Sequence, residues 1–179
     1  MRIPFVVAGA FALALGLASI ADASHDPDTN LLSGPLQLAL SGIADASDDP
    51  AVDAAIEDAL VTLSTDHGGL AKSIKKFQGT FAKLDKVVGD DPDYVQQADL
   101  FLALLATTSA ADANFANLAL ADDVIRNPLG PAAKLIQKVA KSAERRDAKL
   151  SKEGATRKQK LKALLKAQKF WESLIRKYG

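Results

Sequence analysis

The sequence predicts an all-α protein, an antiparallel helical bundle of five to six helices following an N-terminal signal peptide. Three observations carry that expectation. Nearly half of the residues are apolar (48%) while aromatics are scarce (6%), and alanine and leucine, strong helix formers, are abundant. Apolar positions then recur at steps of three and four, the period of a helix with one buried side. Most of the seven prolines stand between such segments, and strand signals are nearly absent. At 179 residues the chain is long enough for one good core, so residues 31–179 are expected to form a single domain.

The N-terminus has the layout of a secretory signal. Arg2 is a short basic head, residues 5–18 are apolar, and Ala21-Asp22-Ala23 places small residues at both positions a signal peptidase reads. Cleavage would remove residues 1–23 and leave Ser24 at the start of a flexible leader, residues 24–30. The alternative is an uncleaved membrane anchor, since residues 3–21 are long enough to span a bilayer. No cysteine follows the cleavage site, which excludes a lipid-anchored lipoprotein, and the chain has none elsewhere, which removes disulfides and thiolate chemistry. The expected location is periplasmic or extracellular, in soluble form.

The helices are punctuated by turn chemistry. Residues 31–44 (LLSGPLQLALSGIA) suit a short first helix with Ser33 as N-cap and Pro35 in the first turn. A second starts at Asp49-Pro50, carries Val52, Ile56, Ala59, Leu60 and Leu63 at helical steps, and stops at Gly68-Gly69. Leu70, Ile74, Phe77, Phe81, Leu84 and Val88 continue through a third helix to Gly89. Asp91-Pro92 opens a fourth, whose run ADLFLALLA at residues 98–106 is apolar on every side, so this helix is expected at the centre with neighbours all round. Thr107, Thr108 and Ser109 weaken its continuation before Phe115, Leu118 and Val124 resume the pattern. NPLGP at residues 127–131 ends it. The fifth helix has Leu135, Ile136, Val139, Ala143 and Leu150 on one side; the sixth begins near Thr156 in a capping box with Gln159 and carries Leu161, Leu164, Leu165, Trp171, Ile175 and Tyr178. The octets IADASHDP (from Ile20) and IADASDDP (from Ile43) are too few for a repeat array and read as coincidence in an Ala/Asp-rich chain.

Net charge is zero, yet the charges are segregated. Seventeen acidic and five basic residues lie between Ser24 and Asp123, a balance of −12; sixteen basic and four acidic lie between Val124 and Gly179, a balance of +12. The acidic N-terminal half thus meets a basic C-terminal half. On the fifth helix Lys134, Lys138, Lys141, Arg145, Lys149 and Lys152 follow one another at steps of three and four, and the sixth adds Lys158, Lys162, Lys166 and Lys169 on its polar side. Such rows are solvated faces, or they lie against the acidic helices around residues 45–66, or they form a ridge that binds an anionic polymer, a membrane surface or a protein partner. Trp171 and Tyr178 beside lysines have the composition of an interfacial helix, although a bundle would bury the same stripe, and Phe170 alone points toward the lysine side. Nucleic acid is the weaker partner, because base stacking needs interleaved aromatics and the chain is expected outside the cytoplasm.

Catalytic chemistry has few residues to use. The two histidines, His25 and His67, stand far apart in the chain, and His67 most simply faces the carbonyl end of a helix. DPDTN at residues 26–30 opens like a calcium loop, but Leu31 stands where a glycine is needed and Gln37 where a bidentate glutamate is needed. Asp53 and Glu57, one turn apart, could enter a carboxylate metal site, yet no Glu-x-x-His pair accompanies them. Phosphate loops, nucleophile elbows and zincin motifs are missing. The sequence therefore predicts an exported, non-enzymatic helical protein with a structural or interaction role and no cofactor. An anionic-surface binder using the basic helices is one alternative, a carboxylate-dependent metalloenzyme another.

Overall fold

Six helices and no strand occur among the described residues of the structure, a computed structural model that describes residues 33–45, 48–65 and 69–179. They are α1 (Ser33–Asp45), α2 (Pro50–Thr65), α3 (Leu70–Val87), α4 (Pro92–Arg126), α5 (Pro131–Leu150) and α6 (Arg157–Tyr178). The expected signal peptide and leader, His25, His67, the DPDTN segment and the first of the two octets lie outside the described residues.

The punctuation works as its chemistry requires. Asp49 Oδ1 accepts the Ala51 N–H at 2.8 Å, and Asp91 Oδ1 accepts those of Asp93 at 2.8 Å and Tyr94 at 3.0 Å, with proline fixing each first turn. At α6 the capping box closes: Thr156 Oγ1 accepts from the Gln159 N–H at 3.3 Å, and Gln159 Oε1 accepts from the Thr156 N–H at 3.0 Å. Ser33 differs from expectation, being the first helical residue of α1 and not its cap. Helix α4 runs unbroken through the polar triplet. Thr107 and Thr108 turn their hydroxyls back onto the carbonyls of Ala103 and Leu104, both at 3.0 Å, so neither competes with the helix.

Helices α1, α2, α3, α6 and α4 pack in a closed ring, each on the next, and α5 packs outside it on α4 and α6. Consecutive helices reverse direction. Helices α4 and α6 run the same way, because their contacts advance together from Asp99 with Arg157 to Ser109 with Gln168.

The ring encloses one cluster, with Leu40, Ile43, Val52, Ile56, Phe77, Phe81, Phe101 and Leu105 among its members, and Phe101 meets Phe77 edge-on at 5.0 Å and Phe81 at 5.2 Å. The triangle of α4, α5 and α6 encloses a second, smaller one built on Trp171, Leu120, Val139 and Leu174 with several alanines.

The central-helix expectation needs a correction. Helix α4 does have three packing neighbours, but residues 98–106 are not enclosed: Leu100 is 43% exposed and Ala103 is also exposed. The physical reason is position, since α1 and α6 cover only part of its circumference. Among the described residues no helix is long and apolar enough to cross a membrane.

Candidate anionic-partner interface

The hairpin of α5 and α6 carries the basic rows on well-formed local structure. Gly130, in extended backbone, and Pro131 start α5. Gly154, at φ +69°, turns the six-residue loop into the Thr156 cap. Lys149 closes α5, and Arg176 and Lys177 close α6, cations where the carbonyl end of a helix favours them.

All ten residues of the rows are exposed: Lys134, Lys138, Lys141, Arg145 and Lys149 on α5, Lys152 in the loop, and Lys158, Lys162, Lys166 and Lys169 on α6. None forms an ion pair with a described residue. Successive helical residues turn by about 100°, so each row occupies about 80° of arc. On α5 that arc lies roughly a third of a turn from buried Val139 and Arg146, and on α6 roughly half a turn from buried Leu164 and Trp171. Helix α6 meets α3 through Glu172, α4 through Gln168 and α5 through Trp171, in that angular order, which leaves its row on the open fourth side. Because α5 is antiparallel to α6, its row turns to the same side. The rows form one basic face.

Of the expected alternatives, the structure does not show pairing of the rows with the acidic helices, while exposure fits solvated faces as well as a binding ridge. Helix α5 packs on α4 and α6, and α6 packs on α3, α4 and α5, while α2 with its exposed Asp53, Glu57 and Asp58 packs on α1 and α3 across the ring.

Three buried or partly buried polar centres were not read from the sequence. At one end of α6, Arg157 Nη1 donates to Asp85 Oδ1 at 2.8 Å, its guanidinium lies 4.9 Å from the Tyr94 ring centre, and the Tyr94 hydroxyl donates to the same Asp85 oxygen at 2.6 Å. Burial first, and then this hydrogen bond, push the Tyr94 hydroxyl pKa well above the usual tyrosine range. Between the two clusters Gln168 accepts from the Ser109 hydroxyl at 2.8 Å and donates to Asp112 and to Glu172. Glu172 Oε1 in turn accepts the Ala71 N–H at 2.7 Å, capping α3 from another helix where Gly69, at φ +94°, offers no side chain. In the smaller cluster Arg146, 7% exposed, lies over the Trp171 ring at 5.0 Å and pairs with Asp147 at 2.7 Å. Its Nη1 and the Trp171 Nε1 are buried without a hydrogen-bond partner. The signal was available in the spacing: Arg146 stands seven residues after Val139 and Gln168 seven after Leu161, each in register with an apolar stripe.

The remaining candidates resolve simply. Trp171 is fully buried, and Phe170 and Tyr178 are half-buried against the smaller cluster, so these aromatics pack the bundle and offer no interfacial belt. Asp53 and Glu57 are exposed on α2, and no cluster of three metal-ligating side chains occurs among the described residues. Comparison with known protein families, curated proteins and solved structures finds no match to this chain.

Proposed function

We propose that this is an exported, non-enzymatic interaction protein that holds a linear polyanion along the basic face of α5 and α6. The observation that supports the reading is the set of ten exposed cations on one side of one hairpin, none of them neutralised by a described carboxylate. A single exposed ion pair is worth only about 0–1 kcal/mol. Many cations acting on one polymer displace its condensed counterions together, which gives useful affinity at low salt. The row on α5 alone, from Lys134 to Lys149, extends ~22 Å at ~1.5 Å per residue.

Composition favours a polymer over a bilayer. Stable docking on lipid takes apolar side chains inserted below the head groups. The large exposed hydrophobics among the described residues are Leu38, Val61, Val87, Leu100, Leu118, Ile125 and Leu129, and none belongs to α5 or α6.

Retention on immobilised heparin, a linear polyanion, tests the proposal. The protein is expected to bind at low ionic strength and to leave at moderate salt, and Lys138→Glu/Arg145→Glu/Lys149→Glu is expected to lose most of its retention. Unchanged retention in that variant rules the basic face out.

A further inference from the structure

Helix α4 exposes a second feature that the basic face does not use. Its solvent side carries Leu100, Ala103, Ala110, Leu118, Ala121 and Ile125, exposed or half-exposed, at steps that sum from threes and fours. Leu118 is 67% and Ile125 77% exposed, unusual for large apolar side chains on a helix. The two other positions on the line, Thr107 and Asn114, are polar but uncharged. No charge therefore interrupts the ridge over ~37 Å at ~1.5 Å per residue.

We propose that this ridge is the contact between two copies of the chain, packed as an antiparallel α4–α4 pair about a two-fold axis. The order of side chains along it fits that occupant. Ala110 and Asn114 flank the midpoint, where two backbones must approach most closely, and the largest side chains, Leu100, Leu118 and Ile125, lie further out. Under a two-fold axis at the midpoint Leu100 meets Ile125 of the second copy, Ala103 meets its Ala121, Thr107 meets its Leu118, and Ala110 meets its Asn114. The ridge is therefore complementary to itself, as an isologous interface must be. Spacing in threes and fours is the pattern of a helix seam that packs knobs into holes. Asn114 and its copy stand on either side of the axis, ~6 Å apart along the helices at ~1.5 Å per residue, and a single polar position of this kind fixes the register of a seam at some cost in stability.

Area sets the strength. A strip ~37 Å long and ~10 Å wide on each copy buries on the order of 800 Å² in total, below the roughly 1,200–2,000 Å² of stable complexes, so the dimer is weak and reversible. The ridge lies across α4 from Ser109 and Leu120, which face the core, and the basic face lies on the far side of α6. Dimerisation through α4 thus leaves two basic faces pointing away from each other, free to bridge two polymer strands with a gain in avidity. The dimer itself does not depend on the polyanion reading.

Sedimentation equilibrium of the purified protein tests it. Wild type is expected to pass from monomer to dimer as concentration rises through the micromolar range, and Leu118→Glu, a change at an exposed position, is expected to stay monomeric at about 100 μM with an unchanged circular dichroism melt. A wild type that remains monomeric at that concentration, or a Leu118→Glu chain that dimerises as well as wild type, overturns the proposal. The absence of cysteine permits an orientation test. Leu100→Cys mixed with Ile125→Cys is expected to cross-link under mild oxidation, and Leu100→Cys alone is not; the reverse result contradicts the antiparallel seam. Heparin retention of a strictly monomeric protein would sink this dimer and leave the polyanion reading standing.

Discussion

The two clusters of this bundle are built differently. The ring of α1, α2, α3, α4 and α6 encloses three phenylalanines that meet at Phe101, a buried tyrosine and a run of leucines and isoleucines, and at its edge a partly buried arginine, Arg157, donates to Asp85 and stacks on Tyr94, with its Nε left unpartnered. The triangle of α4, α5 and α6 has one fully buried aromatic, Trp171, with Phe170 and Tyr178 half-buried at its edge, several alanines and a buried arginine, Arg146, whose Nη1 has no partner. A polar belt of Ser109, Gln168, Asp112 and Glu172 lies between them. The larger aromatic cluster is expected to hold most of the stability, and the smaller core under the basic face is expected to open more readily. Polar side chains in the belt fix the register of α6 against α3 and α4 instead of adding apolar area.

Core truncation breaks the comparison most strongly. Phe101→Ala removes the ring shared by Phe77 and Phe81 and is expected to cost about 3–5 kcal/mol, seen as a global loss in chemical denaturation. Trp171→Ala costs a similar amount, about 3–5 kcal/mol, but its effect is expected to be local. Hydrogen exchange should accelerate in α5 and the second half of α6 while α2 and α3 keep their protection. Uniform acceleration across all six helices would mean that the clusters fold as one unit.

Arg146, buried, and Arg157, partly buried, sharpen the contrast at the next level. Arg157→Met leaves Asp85 and the Tyr94 hydroxyl without a shared cation and is expected to lower stability by about 1–3 kcal/mol. Arg146→Met gives up a pair with an exposed carboxylate, Asp147, and a stack on Trp171 while removing an Nη1 that has no partner, so it is expected to lower the melting temperature less than Arg157→Met does. Equal destabilisation by both changes would contradict the distinction.

Tyr94 supplies a pH test. Burial and the Asp85 hydrogen bond raise its pKa in the fold, so the folded chain holds this proton more tightly than the unfolded one. Its contribution is complete below the unfolded tyrosine pKa of about 10 and is lost as pH climbs beyond it. Tyr94→Phe is expected to cost about 1 kcal/mol at neutral pH and to flatten the fall in melting temperature above about pH 10 relative to wild type. Identical alkaline limbs in the two proteins would show that this hydroxyl does not couple to folding. Smallest of all is the effect of reversing Lys138, Arg145 and Lys149, exposed cations whose stability effects should each stay within about ±0.5 kcal/mol.

Much of this was legible in the sequence, because helix ends depend on local chemistry. Asp49-Pro50, Asp91-Pro92 and Thr156 with Gln159 each start a helix through groups within a few residues of one another. The ten cations of the basic face were legible for the same reason, since residues three and four apart must share a side. What depended on tertiary partners was hidden. Residues 98–106 are apolar all round, yet nothing in that run tells that α4 turns Leu100 and Ala103 to solvent. The unbroken course of α4 through Thr107 and Thr108 rests on hydroxyls folding back onto the preceding turn, and Ser109 needs Gln168, 59 residues away, as its partner. Glu172 capping α3 pairs groups 101 residues apart.

The central claim is that charge placement on one hairpin, and not positive charge in general, binds the partner. Its most direct test is the salt dependence of heparin affinity in wild type, in Lys138→Glu/Arg145→Glu/Lys149→Glu on α5, and in Lys75→Glu/Lys83→Glu/Lys86→Glu on α3, two variants with the same net charge. The α5 variant is expected to lose most of its affinity and to flatten the slope of log affinity against log salt by about three, with the α3 variant staying close to wild type. Equal losses in the two variants, or none in either, would contradict the claim.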